Sequence, residues 1–195
     1  MKKLLPWIVV LGILAIIALW VANVYNGLVA AEEQVESAWA QVENQYQRRS
    51  DLVPNLVATV KGYAEHESET LQGVVDARAR ATQITIDPAN ATPEQLAAYQ
   101  AAQGELSQAL GRLLAVAESY PDLKANENFR DLQQQLEGTE NRIAVARQLF
   151  NDEARAYNTQ VRRFPANIIA GIFGFEKKPY FEAEDDAKHA PQVAF

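Results

Sequence analysis

The chain has 195 residues, 48% of them hydrophobic and 22% charged, with a formal net charge of −7. That acidic balance argues against a general nucleic-acid binder, which needs a basic face; only Arg48/Arg49 and Arg162/Arg163 offer a local basic patch. There is no cysteine, so disulfides, zinc–thiolate sites and thiol catalysis are excluded, and the length suits one ordinary domain plus an anchor.

Lys2 and Lys3 precede an uncharged run from Leu4 to Val24 that includes Trp7 and Trp20. About 20 apolar residues in a helix cross a hydrocarbon core of roughly 30 Å. Trp7 and Tyr25 stand roughly 27 Å apart along such a helix, near the two interfaces where aromatic rings settle. Pro6 falls in the first turn, where its missing N–H costs nothing. A cleaved signal peptide is the competing reading, but its apolar region would be shorter, about 7–15 residues. The small-residue exit at Val29-Ala30-Ala31 also lies well past the apolar run. The two lysines before the span, against Glu32, Glu33 and Glu36 after it, place the N-terminus in the cytoplasm and the bulk of the chain outside. Ala18 and Ala22 form a small-xxx-small pair of the kind that lets spans pack, though alanine is common enough for this to be chance.

From Asn26 to Arg49 the pattern is helical, with Leu28, Ala31, Val35, Ala38, Val42 and Tyr46 on the inner face. Arg48, Arg49, Asp51 and Lys61 then crowd charge around Pro54. Ser50 or Asp51 as an N-cap would put Pro54 in the first turn of a second helix, which the apolar spacing predicts over Leu52 to Gln83. A continuous, kinked helix is the alternative; the charged hinge favours a turn.

Residues 85–92 read as a loop around Pro88, followed by a capping box at Thr92-Pro93-Glu94-Gln95. The third helix carries Tyr99, Leu106, Leu110, Leu113 and Ala117 on its apolar face and ends before Pro121. Asn126 caps a long fourth helix, whose apolar residues Phe129, Leu132, Leu136, Ile143, Ala146, Phe150, Tyr157, Val161 and Phe164 have near-heptad spacing. Thr139 and Glu153 or Ala154 fill its two missing rungs, and Pro165 stops it. No strand-like alternation occurs, so the predicted fold is all-α: a transmembrane helix (1–25), then an antiparallel four-helix up-and-down bundle with long helices (26–164). An apolar segment (165–182) and an acidic tail expected to be disordered (183–195) follow. The apolar segment either covers the open end of the bundle, meets another subunit, or docks on lipid with Lys177 and Lys178 near headgroups.

Catalytic patterns are missing. A bundle di-metal site needs Glu-x-x-His on two helices, yet the two histidines, His66 and His189, follow Tyr63 and Asp186 at that spacing. The run Glu65 to Glu69 reads as a solvated face, and Ser68 is on the wrong side of His66 for a triad. Gly171-x-x-Gly174 lacks the lysine of a phosphate loop. The Arg48/Arg49/Asp51/Lys61 cluster reads first as an interhelix ion-pair network and second as an anion or partner site.

A set of segments resembles the LemA family of bacterial membrane proteins. These are Tyr25 to Val29, Ala38-Trp39, Arg48 to Val57, Lys61-Gly62-Tyr63, Glu67 and Ala77-Arg78-Ala79, then Asn141 to Arg147, Asn151-Asp152, Tyr157-Asn158, Arg163-Phe164-Pro165, Phe173-Gly174-Phe175 and Pro179 to Glu182. The resemblance implies a membrane-anchored helical bundle, with relatives tied to specialised membrane compartments in some lineages. It transfers no catalytic residue and no cofactor. Some descriptions of the family put the soluble part in the cytoplasm, opposite to the charge asymmetry here.

The reading is a non-catalytic structural or interaction protein of the bacterial cytoplasmic membrane. Its span is marked by Leu4, Trp7, Trp20 and Val24, and its candidate contacts are Trp39, Arg48, Arg49, Asp51, Phe173 and Phe175. Its expected partners are the lipid bilayer and further copies of itself, with no nucleic acid and no metal. An accessory or sensor subunit bound to another membrane protein is the alternative, and a metal-dependent enzyme comes third.

Overall fold

The computed structural model of the chain describes residues 5–64 and 66–182. Leu4, Lys2, Lys3, Glu65, His189 and the tail 183–195 therefore lie outside the described residues. The fold is all-helical, with no strand among the described residues: α1 Leu5–Lys61, α2 Ser68–Gln83, α3 Pro93–Ala117, α4 Pro121–Ala125, α5 Glu127–Arg162 and α6 Ala166–Phe173.

The 57-residue α1 begins as a candidate membrane span. Trp7 through Leu19 are exposed on every side, whereas Leu28, Val35, Val42 and Val53 further along are buried on one face. The helix does not break at Ser50/Asp51. Pro54 lies inside it, so the predicted turn and the predicted helix over 52–83 are corrected. A proline deprives the carbonyl four residues back of its donor; here that carbonyl belongs to Ser50, and Arg78 Nε of α2 donates to it at 2.9 Å. The chain turns instead at Gly62 to Glu67, where the N–H groups of Tyr63 and Ala64 both donate to Val60 O.

The local start signals work as the sequence predicts. Thr92 and Gln95 form a reciprocal capping box on α3, and Asn126 Oδ1 accepts from the Phe129 N–H at the start of α5. On α5 every seventh residue from Phe129 to Tyr157 is buried, with Thr139 and Ala154 filling the intervening rungs. Phe164, counted on the apolar face of the fourth predicted helix, is exposed instead.

α1 packs along α5, α2 along α3, and α1 also meets α2 and α6. The interior forms two apolar clusters. One joins residues 28–46 of α1 with 143–161 of α5, together with Leu96, Tyr99, Ala170 and Phe181. The other joins residues 53–60 of α1 with α2, the rest of α3, Leu123, Phe129 and Leu136. Each large apolar side chain buried in them contributes about 1.5–3 kcal/mol.

Candidate functional site

A polar layer separates the two clusters, and Arg49 is its centre. Tyr46 on one side belongs to the first cluster and Val53 on the other to the second. Arg49 is almost wholly buried. Its Nη2 donates to Gln103 Oε1 at 2.6 Å and to Gln103 O at 3.0 Å, while Nη1 donates to Ser107 Oγ and, at 3.0 Å, to Glu140 Oε1. Gln103 Nε2 passes the network on to Ala81 O at 3.1 Å. One guanidinium thus ties α1 to α3 and α5, as only a planar multi-donor fork can. Glu140 keeps 39% of its side chain exposed, so water shares the charge.

The other charges of the predicted hinge cluster stand apart. Arg48 and Asp51 are exposed, and Asp51 accepts a hydrogen bond from Gln47 on its own helix at 2.7 Å. Lys61 is exposed in the last turn of α1. The ion-pair network expected of four residues is carried by Arg49 alone.

Beside this layer lies an aromatic nest. Trp39 is buried, stacked on Phe181 at 5.8 Å and tilted or edge-on to Tyr99 and Phe150. Burial pushes the Tyr99 phenol well above its ordinary pKa, with Tyr46 and Glu43 adding to the shift.

Phe181 belongs to an extended strap at 175–182 that runs from α6 back over the body. Three side-chain amides hold its backbone, each as both donor and acceptor. Asn158 accepts from the Lys178 N–H and donates to Lys178 O, both at 2.8 Å. Asn151 does the same for Phe181 at 2.9 and 3.0 Å, and Gln100 for Glu182 at 3.3 and 2.8 Å. Lys178 is buried rather than near lipid headgroups: its ammonium donates to Glu32 at 2.7 Å and to Ala89 O at 2.6 Å, over the Tyr157 ring. Burial, then the nearby Glu32 and Glu176, push the Tyr157 phenol up. The sequence gives little warning of these clamps, apart from polar Asn158 next to Tyr157 on an apolar face.

Phe173 and Phe175 each lie edge-on to Tyr25, at 4.9 and 5.6 Å. Phe173 is exposed and Phe175 half-buried. Trp7, Trp20 and half-buried Val24 line the candidate span.

No group of three or more His, Asp or Glu residues able to hold a metal occurs among the described residues, and His66 is exposed in the α1–α2 turn. Surface grooves are open to solvent; the one between α1 and α5 is lined by Gln41, Asn44, Gln45, Arg142, Val145 and Leu149. The chemistry on display among the described residues is hydrogen bonding and burial.

The chain is similar to magnetosome protein MamQ 2 of Paramagnetospirillum magneticum, with 30% identity over 190 residues, covering 89% of this chain and 70% of that protein. Magnetosome protein MamQ of Magnetospirillum gryphiswaldense is 29% identical over 189 residues, covering 87% and 70%. Protein LemA of Metamycoplasma hominis is 22% identical over 160 residues, covering 82% and 69%. The family model described as LemA family matches residues 38–195, a stretch that holds Arg49, its partners and all three amide clamps. The chain belongs to the LemA family.

Proposed function

We propose that this chain is a non-catalytic, membrane-anchored interaction protein that assembles with copies of itself. In this reading α1 crosses the bacterial cytoplasmic membrane, and α1, α2, α3 and α5 pack outside it as an antiparallel four-helix bundle. The observation that carries the reading is a single unbroken helix that joins an uncovered apolar segment to the buried face starting at Leu28. Exposed on all sides, the first part of α1 suits hydrocarbon as its solvent. Early α1 residues share a cluster with late α5 residues, and late α1 with early α5, which supports the antiparallel arrangement. Lys2 and Lys3 before the span, against the three glutamates after it, favour a body outside the cytoplasm.

Neither LemA nor MamQ is the name of an enzyme family, which supports a role in binding rather than catalysis. The magnetosome naming of the MamQ relatives supports a place in an organised assembly. Arg48 and Asp51 are the outward contacts in this proposal, while Trp39 and Arg49 hold the interior that presents them. The test is the intact mass of the full-length protein, gently extracted in mild detergent or native membrane patches. A closed assembly of several copies is the expected result. A mass that stays monomeric at high concentration overturns self-assembly, and a stoichiometric second chain replaces it with the accessory-subunit reading.

A further inference from the structure

α6 is half covered. Ile169 and Ala170 are buried, whereas Ile168 and Ile172 on its other side, Phe173 at its last position and Phe164 just before it are exposed, Phe164 at 77% and Ile172 at 71%. Large apolar side chains gathered on one short helix mark a surface that something else covers.

The position of α6 says what. Its Phe173 ring touches Tyr25, which directly follows the uncharged run ending at Val24. The uncovered side chains of α6 therefore stand level with the point where α1 would leave hydrocarbon. Charge agrees: Arg162 and Arg163 precede the helix and Lys177 follows it, all exposed, with Glu176 the one acidic residue in the sequence from 159 to 178. Lys178 is taken out of this set by Glu32. An apolar face flanked by exposed cations at bilayer level is the pattern of an interfacial helix. Four side chains on two turns are too few to supply the roughly 800 Å² per partner of a stable dimer.

We propose that α6 is a second membrane contact, lying in the plane of the bilayer that α1 crosses. Ile168, Ile172, Phe173 and Phe164 dip into the boundary between headgroups and acyl chains, and lipid phosphates pair with Arg162, Arg163 and Lys177. The proposal rests on the reading of α1 as a membrane span. Because α1 already holds the chain at the surface, docking α6 is an intramolecular step that a short helix can complete. Two attachment points, rather than one, then fix the tilt of the body over the membrane.

The chain has no cysteine, so single nitroxide labels can be placed without altering other sites. Ile168→Cys, Ile172→Cys, Ile13→Cys and Val145→Cys are each labelled in the full-length protein, reconstituted in bilayers of phosphatidylcholine and phosphatidylglycerol. Collision with oxygen, which favours lipid, is compared with collision with a water-soluble nickel chelate. Labels at 168 and 172 are expected to be oxygen-dominated at a depth of about 5–10 Å. The label at 145 should report water and that at 13 the hydrocarbon centre. Adding Arg162→Glu, Arg163→Glu and Lys177→Glu should shift the label at 172 towards the value at 145. Water-like labels at 168 and 172, with 13 in hydrocarbon, overturn the α6 proposal alone. Shielding from both probes with spin–spin broadening assigns the face to a second copy and also overturns it. A water-like label at 13 overturns the membrane-spanning reading, and this one with it.

Discussion

Arg78 supplies Ser50 with the hydrogen bond that Pro54 removes. Its Nε–H reaches the Ser50 carbonyl at 2.9 Å from another helix, so α1 passes through its proline with that acceptor paired. The same contact joins α2 to the last quarter of α1.

This makes the two residues energetically dependent. Arg78→Ala should destabilise the protein by about 1–3 kcal/mol, the cost of a buried acceptor left unpaired. In a Pro54→Ala background the helix supplies its own donor, and the same change should cost about 1 kcal/mol or less. A double-mutant cycle on the detergent-extracted protein, read by thermal unfolding, measures the difference. Equal costs in both backgrounds would rule out the link.

The contact also shows where sequence reading stops. The starts of α3 and α5 are legible because Thr92 with Gln95, and Asn126 with the Phe129 N–H, act within one turn of the chain. The effect of Pro54 depends on Arg78, 28 residues beyond the Ser50 carbonyl it serves, so a charged stretch around a proline reads locally as a turn. Lys178 looks like a surface residue beside Lys177 until Glu32 and Ala89, both distant in sequence, enclose its ammonium. The Arg48/Arg49 pair splits for a similar reason: successive helical positions point in different directions, and only the register of α3 and α5 decides which one is interior.

Arg49→Met should cost about 2–4 kcal/mol, since the Gln103 side chain loses its buried donor while Glu140 can turn to water. Arg49→Lys should recover only a fraction of this, because a single ammonium cannot fork between α3 and α5. Arg48→Ala, on the exposed neighbour, should stay within about 0.5 kcal/mol. Denaturant unfolding of the three variants checks the order.

Asn158→Ala removes both partners of the Lys178 backbone at once. Amide exchange at 176–182 should then rise by at least about tenfold, as expected for a loss of 1.4 kcal/mol or more. The capping box at Thr92 should keep its protection. Uniform loss of protection across all helices would mean that Asn158 supports the whole fold and not the strap in particular.

Tyr99 and Tyr157 give the stability a defined alkaline limit. Both phenols ionise at a higher pH in the folded chain than the ordinary value of about 10. A raised folded pKa binds the proton more tightly in the folded state, so the stabilisation is complete below about pH 10 and is lost as pH climbs towards the folded values. Tyr157→Phe should flatten that loss in a pH series of melting temperatures. At neutral pH it should change stability by no more than about 1 kcal/mol, since the Tyr157 hydroxyl has no hydrogen-bond partner among the described residues.

The length of α1 has a mechanical consequence. From Trp20 to Arg49 is roughly 40 Å of helix with no joint, and Pro54 lies beyond the arginine. Buried residues from Leu28 to Tyr46 hold this length of helix against α5, so a rotation of its first segment, in the proposed span, is resisted by that packing and by the guanidinium together.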